Sequence, residues 1–214
     1  MTEKNSLPKY TLGEELVNSI SHGVGAALAI AGLVLLIIRA HSALGVVCGV
    51  IYGVIMIVLY TISCIYHALS PKLKGKRVLR TLDHINVLLM VAGTYTPISL
   101  CLLGGATGWI SFSVVWVVTI IAVVFNAINV NQFQFLSIAS NLLLGWGAIL
   151  IFGPLMRACP MNGIILLVSG GIVYTIGAIL YGVGKKIPYI HSLFHFFVLG
   201  ASILHYFLIY FYIV

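Results

Sequence analysis

The chain alternates between long apolar stretches and short polar turns. Each of seven stretches approaches or exceeds the roughly 20 apolar residues that an α-helix needs to cross a bilayer. They lie at Val17–Ala40, Leu44–Tyr66, Asp83–Leu103, Gly108–Val130, Phe133–Phe152, Asn162–Gly184 and Ile190–Ile213. Apolar residues run continuously through them, which is atypical of the alternating strands of a membrane β-barrel. The pattern predicts an all-α bundle of seven transmembrane helices.

The composition agrees with a membrane protein. Of the 214 residues, 61% are hydrophobic and 7% are charged, and the mean hydropathy is +1.15. A soluble domain with these values would have an apolar surface. We expect a single domain over residues 1–214, in a multi-pass protein of the cell membrane. The polar first ten residues and the long apolar run behind them argue against a cleavable signal peptide, so the first helix is expected to remain as an anchor.

The basic residues predict the orientation of the bundle. Nine of the eleven Lys and Arg residues fall on one side, and two fall on the other. The first set is Lys4, Lys9, Lys72, Lys74, Lys76, Arg77, Arg80, Lys185 and Lys186, and the second is Arg39 and Arg157. The positive-inside rule then predicts a cytoplasmic N-terminus and an external C-terminus. We interpret the basic loop as a topology determinant that touches anionic headgroups, and we expect no nucleic-acid site.

Four helices bring ionisable or polar residues to one layer near the cytoplasmic surface. Ser63 and His67 end the second segment, Asp83 begins the third, and His191 and His195 begin the seventh. The first segment brings a further set, Glu15, Asn18 and His22. Ionisable groups are costly inside a bilayer and mark functional sites there. Their shared depth predicts one polar site.

Spacing within the helices predicts a metal site. Residues four apart share a helix face, so His191 and His195 can reach one ion, and His67 would complete a set of three. Three imidazoles with a fourth position open are typical of catalytic zinc, although other metals also accept three histidines. Each residue also has a simpler interpretation. The histidines could form interhelical hydrogen bonds, Asp83 could stabilise a helix N-terminus, and Ser63 could bond to its own helix.

The same residues resemble those of a known family. The stripe Glu15-x-x-Asn18-x-x-x-His22, the motif Ser63-x-x-x-His67, the sequence TLDHINVLLMVAGTYTP around Asp83, and His191-x-x-x-His195 occur in order along nearly the whole chain. Together they resemble the hemolysin III family, which is related to the progestin and adiponectin receptors and to the alkaline ceramidases. The resemblance implies a seven-helix bundle with an internal N-terminus.

The resemblance also implies roles for the site residues. It implies a zinc ion held by His67, His191 and His195, with Asp83 holding or deprotonating the water at the zinc. Ser63 would hydrogen-bond that water or a substrate carbonyl. We expect Glu15 and His22, with Asn18, to support the metal ligands. The chain has little protein outside the membrane, so binding of a protein hormone is not expected.

Several functions are compatible with these features. The leading hypothesis is a zinc-dependent hydrolase of a lipid amide or ester, with membrane lipid as substrate and Asp83 as general base. The alternatives are a cytolysin that permeabilises membranes and a zinc-stabilised sensor of the lipid state without chemistry. A transporter is disfavoured because polar residues are sparse in the outer half of the bundle. The oligomeric state is left open.

The remaining polar residues have simpler expectations. His84 points away from Asp83, His41 lies in an outer loop, and His205 is expected to form a buried hydrogen bond. Amides cluster at the turn between the fourth and fifth segments, where they line a vestibule or only make the loop polar: Asn126, Asn129, Asn131, Gln132 and Gln134. The four cysteines show no zinc spacing, and buried free thiols are favoured over a Cys101–Cys159 disulfide.

Overall fold

The computed structural model describes residues 7–184 and 187–214, and within them it contains helices and no strand. Seven helical spans are long and apolar enough to cross a membrane. The helices are α1 Leu12–Arg39, α2 Ala43–Ala68, α3 Gly75–Pro97, α4 Gly105–Ile128, α5 Gln134–Trp146, α6 Phe152–Ala158, α7 Met161–Val183 and α8 Ile190–Tyr212. The prediction of an all-α seven-helix bundle is confirmed. Lys4, Lys185 and Lys186 lie outside the described residues.

Two spans are not single α-helices. A π-helical turn, Ile98–Leu103, continues α3 beyond Pro97. A 3₁₀ turn, Gly147–Ile151, joins α5 to α6, and the three elements together form the fifth span, Gln134–Ala158. Proline lacks the N–H that a regular α-helix needs, which accounts for the change of helix type after α3. The next turn uses two glycines with positive φ, Gly104 and Gly105, a conformation that other residues rarely adopt.

The start of the third span was predicted eight residues too late. The sequence pattern began it at Asp83, but α3 begins at Gly75. Lys76 and Arg80 lower the hydropathy of this first part, yet both are buried in the folded chain. Asp83 therefore lies more than two turns inside α3, and the interpretation of Asp83 as a residue at the helix N-terminus is wrong. The first span begins at Leu12, where Thr11 and Glu14 form a capping box.

Packing is uneven around the bundle. The main core lies between α1, α2 and α8, where small and aromatic side chains interdigitate around Tyr52, Tyr60 and Ile209. The fifth span buries the smallest share of its residues. Many large apolar side chains, such as Leu28, Ile38 and Val117, are exposed on the outside of the bundle. Such a surface suits the hydrocarbon of a bilayer, so the protein is a multi-pass membrane protein.

Candidate metal centre

The beginnings of α1, α3 and α8 and the end of α2 lie together, and we call this end of the bundle the site end. Here His67, in the last turn of α2, faces His191 and His195, in the first turns of α8. One ligand nitrogen from each histidine lies within 4.8 Å of the others, and all three residues are buried. The i, i+4 spacing places the two α8 histidines on one face, with their Nε2 atoms 3.1 Å apart.

The ring nitrogens fit a bound cation. The Nε2 atom of His67 is buried and has no hydrogen-bond partner among the described residues. Zinc–nitrogen bonds of about 2.0–2.1 Å in a tetrahedral site bring ligand nitrogens to roughly 3.3 Å from one another. The observed nitrogens need to move by about an ångström or less to reach that geometry. Neutral imidazoles suit several transition metals, so the donor set defines a candidate metal site without defining the metal.

Side chains of α1 contact two of the histidines through their Nδ1 atoms. The Nδ1 atom of His67 lies 2.6 Å from Oε2 of Glu15. Because a carboxylate only accepts hydrogen bonds, Nδ1 carries the proton and Nε2 is left as the free ligand atom. The Nδ1 atom of His195 lies 2.9 Å from Nε2 of His22, which leaves the Nε2 of His195 directed at His191. Metal-binding histidines commonly have such partners, which fix the tautomer and the ring orientation.

The third member of the predicted α1 set, Asn18, is completely buried in the same layer. Its amide nitrogen lies 3.4 Å from Nδ1 of His67. The structure thus places Glu15, Asn18 and His22 against the histidine cluster, as expected from their spacing along one helix face.

A buried lysine extends this arrangement. Lys76 is only 2% exposed, and its ammonium donates to Oε1 of Glu15 at 2.5 Å and to the carbonyl of Leu69 at 2.7 Å. The ammonium also lies 5.2 Å from the centre of the Tyr66 ring. A continuous contact therefore runs from Lys76 through Glu15 to His67. The sequence pattern placed Lys76 in the basic loop and did not predict this contact.

Glu14 links α1 to the start of α8 by hydrogen bonds. Its Oε2 atom accepts hydrogen bonds from the backbone and hydroxyl of Thr11, both at 2.8 Å. Its Oε1 atom accepts from the backbone N–H of Tyr189 at 2.8 Å. Tyr189 immediately precedes α8 and has a left-handed backbone with φ of 61°. Glu14 therefore fixes the start of α8 relative to α1, and so sets the position of His191.

Asp83 and Ser63 border the histidine cluster. The Asp83 carboxylate lies close enough to His67 and Arg80 to interact electrostatically, and it also faces Ser63. The Oγ atom of Ser63 is buried beside this carboxylate. His84 contacts Tyr181, with both ring nitrogens 3.3 Å from the tyrosine hydroxyl.

One end of a large apolar cavity borders the histidine cluster. The cavity measures about 250 Å³ and extends along α3, the fifth span, α7 and α8. Asp83 and His191 line its end beside the cluster, and His205 lines it farther along α8. Ile149 and Phe152 line it too, yet both are exposed on the outside of the bundle. The cavity therefore connects the site with the apolar surface of the protein at the fifth span.

The other polar residues mostly follow expectation. His41 is exposed, and His205 forms the buried contact, 3.1 Å from the Leu167 carbonyl. All four cysteines are free, and burial raises the pKa of the Cys159 thiol. Two of the clustered amides, one in the turn before α5 and one at the first residue of α5, do more than make a loop polar. Asn131 accepts a hydrogen bond from Arg80 at 2.6 Å, and Gln134 donates one to the hydroxyl of Tyr181 at 2.8 Å.

Taken together, the fold and the cluster define a seven-helix integral membrane protein with a buried three-histidine site. The family follows from comparison with known proteins. A family model described as "Haemolysin-III related" matches residues 10–206, and the chain belongs to that family. The resemblance inferred from the sequence motifs is confirmed.

Three relatives show how the similarity is distributed. "Hemolysin-3" of Bacillus cereus is 37% identical over 100% of this chain and 98% of its own length. "Hemolysin-3 homolog" of Bacillus subtilis (strain 168) is 39% identical over 96% of this chain and 97% of its own length. The human "Monocyte to macrophage differentiation factor" is 24% identical over 98% of this chain and 88% of its own length. The similarity therefore extends over the whole bundle.

Proposed function

We propose that the protein is a zinc-dependent hydrolase of an amide or ester bond in a membrane lipid. One observation carries the proposal. The histidine cluster borders one end of an apolar cavity, and the cavity reaches the outer surface of the bundle. An acyl chain fits such a cavity, and its carbonyl would then lie beside Asp83 and His191. The substrate would enter from the bilayer, where lipids are concentrated.

The side chains divide the chemistry between them. His67, His191 and His195 would hold the zinc ion, which when bound acts as a Lewis acid and makes water nucleophilic near neutral pH. Asp83 would accept the proton of the attacking water and pass it to the leaving amine or alkoxide. The buried hydroxyl of Ser63 would donate to the carbonyl oxygen, where negative charge develops.

A variant pair tests the hydrolase directly. Protein purified in detergent is incubated with a panel of acyl amides and esters, products are identified by mass spectrometry, and bound metal is measured on the same samples. We expect His191→Ala to lose both metal and turnover, and the exposed His41→Ala to retain both. Loss of metal with unchanged lipid turnover in His191→Ala would refute the proposal.

A second function is favoured by the names of the relatives. Two of them are called hemolysins, so we also consider direct permeabilisation of membranes. Liposomes loaded with a fluorescent dye test it, with purified protein added across a wide range of protein-to-lipid ratios. Dye release by wild-type protein and by His191→Ala alike would support a pore that is independent of the metal. No release at any ratio would exclude this function.

A further inference from the structure

Arg80 is a buried cation that no carboxylate of the described residues contacts. It lies in the second turn of α3 and is 7% exposed. One guanidinium nitrogen, Nη2, donates to Asn131, whereas Nε is buried and has no partner among the described residues. No carboxylate of residues 7–184 or 187–214 approaches the guanidinium within 4.0 Å. Asp83 interacts with the guanidinium electrostatically but without a hydrogen bond, so the buried Nε donor stays unsatisfied, which is unfavourable unless a ligand binds there.

The guanidinium lines a second, smaller cavity at the site end. This cavity measures about 20 Å³ and is walled by three tyrosines, Tyr10, Tyr66 and Tyr181. It shares Asp83 and His191 with the large cavity, so the two cavities meet at the histidine cluster. The phenolic hydroxyl of Tyr10 is a neutral hydrogen-bond donor. The small cavity therefore offers cationic and neutral donors, and Asp83 is its one carboxylate among the described residues.

The positions of the two cavities indicate which part of a substrate would occupy each of them. An acyl chain in the large cavity brings the scissile carbonyl to Asp83 and His191. The group on the other side of the scissile bond must then point into the small cavity, towards Arg80. From this geometry we infer that the leaving group of the substrate carries a carboxylate, which Arg80 binds. This inference rests on the proposed hydrolase function and names its substrate class as acyl amides or esters of small carboxylate-bearing molecules.

Size and charge support a carboxylate at this position. The planar guanidinium matches a carboxylate through paired N–H donors, and such charge-assisted bonds are strong. A cavity of about 20 Å³ has room for little more than one water molecule, so a small planar carboxylate enters only if the cavity wall shifts, and a bulky tetrahedral phosphate is disfavoured further. Tyr10 lies before the start of α1, so its ring can shift without breaking the hydrogen bonds of a helix. Asp83 opposes a second negative charge, but no hydrogen bond joins it to Arg80 in the structure.

Binding of two matched probes tests the inference without any need for turnover. N-dodecanoylglycine carries the carboxylate, and N-dodecanoylethanolamine has the same chain with a neutral end. Their affinities for purified, metal-loaded protein are measured by calorimetry in detergent. Wild-type protein should bind the anionic probe at least tenfold more tightly than the neutral one. Arg80→Gln should reduce this preference to less than threefold and leave the affinity for the neutral probe within twofold.

Matched variants separate this site from general surface charge. Arg77→Gln removes the same charge from an exposed position three residues away and should keep the full preference. If Arg80→Gln does not fold, Arg80→Lys replaces it. Lysine keeps the charge without the planar fork, and the preference should fall by about threefold or more. Equal binding of both probes by wild type, or an equal loss in Arg77→Gln, would overturn the inference.

Two further measurements identify the source of the anion and distinguish failure of the Arg80 site from failure of the hydrolase. Sodium acetate is titrated against the bound anionic probe. Displacement at low millimolar acetate would indicate a site for free anions and overturn the lipid assignment. Turnover of neutral lipids without any preference for the anionic probe would overturn the Arg80 site while leaving the hydrolase intact. A strong preference without turnover of either probe would support the Arg80 site and count against the hydrolase.

Discussion

Substitution of Lys76 by methionine tests the buried contact between α3 and the histidine cluster. Methionine keeps most of the length and apolar packing of lysine but removes the ammonium. The change leaves one oxygen of Glu15 without its 2.5 Å partner and removes the bond to the Leu69 carbonyl. Glu15 retains its contact with His67 through its other oxygen. The perturbation therefore loosens the carboxylate without detaching it from the metal ligand.

The magnitude follows from the burial of the two partners. Removal of one member of a buried ion pair costs about 3–5 kcal/mol. The Glu15 side chain is 14% exposed and keeps its second partner, so we expect the smaller value of about 2 kcal/mol, close to that of a charge-assisted hydrogen bond. Loss of a partner behind a metal ligand weakens metal binding by about 10–100-fold. We expect the lower end, about tenfold, because the carboxylate still contacts His67.

Two measurements check these values. Competition with a chromogenic chelator gives the metal affinity, and thermal unfolding in detergent without metal gives the stability. Lys74→Met is the control, because it removes the same charge from an exposed position two residues away. A Lys76→Met protein that binds metal within twofold of wild type, and unfolds at the same temperature, would refute the role assigned to Lys76.

Three further variants probe other parts of the site. Asp83→Asn should retain stoichiometric metal but lose at least a hundredfold in lipid turnover, because a general base contributes about 10²–10⁴-fold; unchanged turnover would favour a sensor without chemistry. His22→Ala should weaken metal binding about tenfold in the chelator assay, because it removes the partner 2.9 Å from a ligand histidine. Gly170→Ala should lower stability by about 1–3 kcal/mol in thermal unfolding, because a Cβ there would collide with the His205 ring. Gly171→Ala, which meets open space, is the matched control, and equal effects of both would contradict this packing.

Hydropathy predicts the spans well because the bilayer demands a continuous apolar surface. It fails where charged residues are buried inside the protein. Lys76 and Arg80 made the first turns of α3 resemble a polar loop, although Lys76 pairs with Glu15 of α1 and Arg80 donates a hydrogen bond to Asn131 in the turn before α5. Such partners come from distant parts of the chain, and hydropathy averaged over a short window of sequence cannot detect them. A signal was nevertheless present, since Lys76, Arg80 and Asp83 are spaced four and three apart and so share one helix face.

The meeting of the histidines was predictable for a related reason. Once the membrane fixes the depth of each helix, only the rotation of the helices remains open, and the i, i+4 spacing of His191 and His195 limits that rotation. The contacts of Glu14 and Arg80 depend on loop conformations, including the left-handed backbone of Tyr189, that no periodicity encodes. The metal-binding and catalytic roles of the individual residues remain predictions for the experiments above.

The uneven packing of the bundle has a consequence for how the protein tolerates change. The ligand histidines and their partners lie on α1, α2 and α8, which form the dense side of the molecule. The wall of the large cavity includes the sparsely buried fifth span, with its 3₁₀ interruption. The candidate metal site thus lies in the densely packed part of the bundle, and the sparsely buried fifth span lies on the other side of the cavity. Under the proposed function, substitutions in the fifth span would change which acyl chains the cavity admits and leave the histidine cluster intact.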